Sequence, residues 1–198
     1  MDASTPFKSL TLAAHAGDAD AFEAAIAAGA DVNAEVPVSG GSYLSVLSLI
    51  VHASAGPQAP LAGRARCARA ALAAGAHCEG LPNETVGPLS MACWTGNVDA
   101  ARLLIQAGAD LERAGPDGQR PFMRAVVSGW NDCAALLLAA GADPDAEDER
   151  GLSAASWARQ HGRSETRAMI DLARARREAK LIDEAARAPR SSDRRPQL

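Results

Sequence analysis

Gly75, Gly108 and Gly141 stand 33 residues apart, each inside the same phrase: "AAGAHCEG" at 73–80, "QAGADLERAGPDGQRPF" at 106–122 and "AAGADPDAE" at 139–147. An earlier copy, "AAGADVNAE", occupies 27–35. A fixed period between about 20 and 50 residues marks stacked units rather than one compact core. The phrase itself is a joint. A glycine such as Gly108 takes the left-handed turn beyond a helix C-terminus, and Pro121 suits the first turn of the helix that follows. Between joints lie two short apolar segments, "PLSMACWTG" then "VDAARLLIQAG" in one unit, and "PFMRAVVSG" then "DCAALLLAAG" in the next. The order is helix, tight turn, helix, long turn.

Composition supports helices over sheets. Apolar residues make up 47% of the chain but aromatics only 4%, so the core is built from small aliphatic side chains, which favours closely spaced helices.

These spaced motifs resemble the ankyrin repeat, whose pattern runs D-x-x-G, T-P-L-H, A-A-x-x-G and L-L-x-x-G-A-D. The resemblance implies an all-α ankyrin repeat solenoid of five helix-turn-helix units at 8–33, 45–79, 87–112, 120–145 and 153–188, with hairpin-like connecting turns. A single domain then covers 1–188, and the polar residues 189–198 form a disordered tail. Where the family has its capping Thr, this chain has Lys8, Ser45, Gly87, Arg120 and Ser153. Where the family has its His, it has Thr11, Ser48, Ser90, Met123 and Ser156. Lys8 and Arg120 cannot accept a backbone hydrogen bond, a loss of about 1 kcal/mol each.

Two insertions break the period, since Gly29 and Gly75 are 46 apart. One, at 34–45, lengthens a hairpin. The other, at 54–63, separates the paired helices of the second unit, where Pro57 and Pro60 interrupt any helix. Such insertions either extend a partner-binding face or are plain surface loops. The fifth unit lacks the G-A-D ending and continues as a long capping helix over 164–188, with Met169, Ile170, Leu172, Leu181, Ile182 and Ala185 expected along its inward stripe.

No short phosphate, nucleotide or hydrolase signature occurs, and of the four His, His15, His52 and His161 fall in the first, second and fifth units while His77 stands apart in the joint after Gly75, so no catalytic residue, cofactor or metal is expected. Cys67, Cys78, Cys93 and Cys133 form no C-x-x-C pair and are expected to be buried, reduced thiols. The absence of a long apolar run and of a secretory pattern at the N-terminus points to a cytoplasmic protein without membrane insertion.

The resemblance implies a concave protein-binding surface made by first helices and hairpin tips. Residue by residue, the pair before each inter-helix glycine contributes His15, His52, Trp94, Thr95, Val127, Ser128, Gln160 and His161; the hairpin tips contribute Ser42, Tyr43, Glu84, Asp117, Gln119, Glu149 and Arg150. Trp94 and Tyr43 carry the most weight, because amphipathic rings concentrate binding energy, although Trp94 could equally fold onto the neighbouring unit. Trp130 and Trp157 read as packing residues. Arg124 either snorkels or meets an acid in the adjoining hairpin.

Residues 159–198 hold 11 basic and 6 acidic side chains, against 9 and 18 in the rest. The acidic body implies a protein partner with a basic contact face. Nucleic acid is disfavoured, since the tail's charges alternate with acids and lack aromatics. The expected function is a non-enzymatic interaction module, monomeric alone, that binds and inhibits one partner in the manner of an immunity protein. A scaffold or chaperone, or an effector acting on host proteins, is the alternative.

Overall fold

A computed structural model describes residues 4–38, 42–52 and 61–187. Their ten helices form two rows. The first helices are α1 (Ser4–Ala16), α3 (Val46–His52), α5 (Pro88–Thr95), α7 (Pro121–Ser128) and α9 (Ala154–Gln160), each packed on the next in that order. The second helices are α2 (Ala19–Ala27), α4 (Leu61–Ala73), α6 (Val98–Gln106), α8 (Asn131–Ala140) and α10 (Ser164–Arg187), likewise in sequence. Each first helix also packs on its own second helix, which makes five units side by side.

The core between the rows is aliphatic and small. Ala14, Ala71, Ala92, Ala101, Ala125, Ala134 and Ala158 are buried, and Phe22, Leu47, Leu104, Met123, Leu137 and Ile170 fill the space between them. Alanine at so many facing positions lets neighbouring helices approach at the short end of the usual 8–10 Å spacing.

Local chemistry explains most boundaries. Pro88 and Pro121 open α5 and α7, and Gly96 and Gly129 end them in the left-handed conformation. Ser45 Oγ accepts from the Ser48 amide at 3.0 Å and Ser153 Oγ from Ser156, whereas Gly87 and Arg120 supply no side-chain cap. Lys8 behaves differently from expectation. Helix α1 begins at Ser4, so Lys8 lies within it and no cap is lost there. Pro6 does not prevent this, because the first helical turn tolerates proline.

The insertion at 34–45 is a hairpin of β1 (Glu35–Pro37) and β2 (Tyr43–Ser45), antiparallel with Val36 opposite Leu44. Most of the 54–63 insertion lies outside the described residues, and its last three residues, Leu61, Ala62 and Gly63, begin α4 instead of a loop. The tail at 189–198 also lies outside the description.

The long terminal helix is present as α10, but the inward stripe expected along it is incomplete. Thr166 and Ile170 are buried and Met169 is half-buried against α8 and α9, but Leu172, Leu181 and Ile182 are exposed. The cause is length. Twenty-four residues of α10 run beside the ten of α8, so the helix outreaches its neighbour by about 20 Å.

Candidate protein-binding face

The first-helix row ends on one side in tight turns, and in the first, third and fourth units these turns are fastened by the unit that follows. Trp130 Nε1 donates to the carbonyl of Trp94 at 2.9 Å, Arg163 Nη2 to that of Val127 at 3.1 Å, and Arg64 Nη2 to that of His15 at 3.0 Å. Each acceptor is one of the last carbonyls of a helix, which have no partner inside it. Each donor also lies across the glycine two residues on. At Gly96, φ is +75° and an added Cβ would sit 2.4 Å from Trp130 Cδ2; at Gly129 the Arg163 guanidinium fills the same space. Nothing in the chain marks these donors as a set, since a tryptophan and two arginines share only an N–H. Arg64 comes from within α4, whereas Trp130 and Arg163 immediately precede α8 and α10.

The hairpin side of the stack is fastened in the opposite sense. Asn33 Oδ1 accepts from the His77 amide and its Nδ2 donates to the Gly75 carbonyl. Glu79 accepts from the Asp110 amide, and Glu112 from that of Asp143. At the end of the fourth unit, Asp145 and Asp143 pair instead with Arg174 and Arg177 of α10 in the fifth. Burial opposes ionisation of Asp143, but the Asp145 amide and Arg177 outweigh it and hold the carboxyl below its ordinary range. Arg113 joins the second and third units through the carbonyls of Glu79 and Glu84.

On this frame the expected binding residues fall into two rims. The turn rim carries His15, His52, Trp94, Gln160 and His161 exposed, with Thr95, Val127 and Ser128 half-buried. The hairpin rim carries Ser42, Tyr43, Asp117, Glu149 and Arg150 exposed, with Gln119 and Arg124 half-buried. Trp94 is 52% exposed and Tyr43 44%. They occupy opposite rims, Tyr43 just before α3 and Trp94 at the end of α5 in the next unit.

Arg124 meets the acid in its hairpin, donating to Asp117 at 2.9 Å. In the fifth unit, Trp157 Nε1 donates to Asp148, Arg150 lies 6.0 Å above the Trp157 ring, and His161 is 5.5 Å from it between ring centres. Burial again opposes ionisation of Asp148, yet bonds from the Leu152 amide, Trp157 and the Arg150 amide keep its carboxyl below the ordinary range. These contacts fix Arg150 and His161 relative to each other.

Glu84 does not belong to the exposed set. It is only 5% exposed, its Oε2 accepts from the Leu81 amide at 3.0 Å, and the carboxylate lies against Gly80. A carboxylate folded back onto its own turn holds that turn and has no reach to a partner. Trp130 is the converse. It is exposed, as a binding residue would be, but its indole is committed to the preceding unit.

Cys67, Cys93 and Cys133 are buried, while Cys78 is only half-buried. Burial pushes the Cys67 and Cys133 thiols up to about 11 and raises that of Cys93 well above its ordinary value, so these three are poor nucleophiles. Among the described residues no three His, Cys, Asp or Glu side chains are grouped to hold a metal ion, and no helix is long and apolar enough to cross a membrane.

Comparison with protein families returns ankyrin repeats (three copies), matched over residues 10–148 and again over 89–174. No curated protein matches the chain.

Proposed function

The chain belongs to the ankyrin repeat family, and from that premise we propose that it is a non-enzymatic module recognising one protein partner through both rims of its first-helix row. The observation that carries this reading is the pairing of exposure with a held backbone: Trp94, half exposed, sits on a helix end whose carbonyl is bonded by the next unit. Large rings presented on a fixed backbone lose little freedom on binding, which favours a tight complex over a promiscuous one. Tight 1:1 binding is what a blocking protein needs, so inhibition of the partner, as by an immunity protein, is the finer form of the proposal. The excess of acidic residues before residue 159 supports a basic contact face on the partner.

Affinity purification on the full chain with mass spectrometry identifies the partner, and titration then compares it with a Trp94→Ala, Tyr43→Ala double variant. The tie to the next unit is made by the Trp94 carbonyl, and the half-exposed indole makes no hydrogen bond among the described residues, so the variant should melt close to the parent. Its affinity should fall by at least about thirtyfold, as for loss of a hot spot. Unchanged affinity, or purified chain that turns over a small molecule without recovering any protein, overturns the proposal.

A further inference from the structure

We propose that the outer flank of α10 is a self-association surface on which a second copy of this chain packs antiparallel. From residue 175 to 184 every side chain of this helix is exposed, and Leu181 and Ile182 are 58% and 64% exposed. A single helix projecting without packing is marginal in water, and the Lys180–Glu184 and Asp183–Arg187 pairs add only about 0.3–0.5 kcal/mol each. Something must cover the projecting turns for them to persist.

Leu172, Ala175, Ala179 and Ile182 follow one another at spacings of three, four and three, the seam of a helix that packs along another helix. All four are exposed. Alanine in the middle of the seam permits close approach, and Leu172 lines, with Ala135, Leu138 and Met169, a groove of about 670 Å³ between α8 and α10.

Charge selects the occupant and its direction. Arg174, Arg177, Lys180 and Arg187 each have an ion-pair partner among the described residues, whereas Arg176, beside the seam, has none. Asp183 lies on the same side of the seam as Arg176. When two copies pack antiparallel with Ile182 of one against Ala179 of the other, the helices overlap over 174–187 with Leu172 just outside the contact, and Arg176 of each falls beside Asp183 of the other, giving two opposite-charge pairs. Parallel packing instead sets Glu178 against Asp183. The seam therefore complements itself in one direction only. This dimer leaves both rims of the first-helix row free, and it departs from the monomer expected from the sequence.

The contact is about 20 Å long, short of the roughly 800 Å² per partner of a standard interface, so association belongs in the micromolar range. Sedimentation velocity of the full chain between about 1 and 500 µM should show monomer giving way to dimer. An Ala179→Glu, Ile182→Glu variant should stay monomeric throughout with the parent's circular dichroism and melting. Arg176→Asp and Asp183→Arg should each weaken the dimer at least about fivefold, and the two together should restore it, as cross-interface charge pairs do. A chain monomeric at every concentration, a dimer indifferent to Ile182→Glu, or a charge swap that fails to restore would overturn the proposal.

Discussion

Trp130 donates its indole N–H to the backbone carbonyl of Trp94, 36 residues earlier, and lays its ring over Gly96. The position it fills is the one where Asp18 and Asn97 cap the second helices of their own units; Trp130 makes no such cap bond. Helix α8 has exchanged a cap for a tie to its neighbour.

That exchange separates two substitutions. Trp130→Phe keeps the ring and loses the donor, and should lower stability by about 1 kcal/mol, the net worth of one hydrogen bond. Trp130→Asn loses the ring but can regain the cap at α8, so urea unfolding should place it nearer the parent than Trp130→Ala, which has neither.

Gly96 and Gly108 both have positive φ, +75° and +87°, but only Gly96 is roofed by another side chain. Gly108→Ala should cost about 1 kcal/mol for the backbone conformation alone. Gly96→Ala should cost more by the displacement of the Trp130 indole, which also releases the Trp94 carbonyl. Equal losses of stability for the two would show that the indole is not held where it is seen.

Glu84 is buried and accepts from the amide of its own turn. Glu84→Ala leaves the Leu81 amide without its acceptor and should lower stability by about 1–3 kcal/mol, as for an unsatisfied buried donor. Glu84→Gln keeps an acceptor and should be milder. Partner affinity, measured at a temperature where all variants are folded, should be the same for each.

Asp143 and Asp148 have folded-state pKa values below the ordinary aspartate value of about 3.9. The stability they contribute is therefore complete above that value and is lost as pH falls through the folded values. Unfolding free energy measured downward from neutral pH should stay level and then drop in this acid window. Asp143→Asn and Asp148→Asn should each be less stable at neutral pH and show a shallower acid drop.

The recurring glycine phrase made the five units and the enlarged hairpin legible, because a backbone that must turn left-handed leaves a residue-type trace in the chain. The ties between units left none. Arg64, Trp130 and Arg163 act on main-chain carbonyls, so the acceptor carries no signature and the donors have only an N–H in common. Among the expected binding residues, exposure followed from position for Trp94 and Tyr43, but Glu84 escaped it because its side chain is flexible enough to fold back onto Leu81. Helix α10 misled for another reason: an apolar stripe records that a face can be buried and says nothing of whether the molecule has a neighbour long enough to bury it.

Since the later units offer a carbonyl on one side and a donor on the other at nearly the same register, excising one whole period from among them would bring Arg163 to the place now held by Trp130. The array can thus shorten or lengthen by complete periods without orphaning a joint, while a cut of any other size leaves two ends that do not match. The second unit is exempt, for its fastener Arg64 sits inside a helix displaced by the insertion before it, and it cannot be traded for its neighbours.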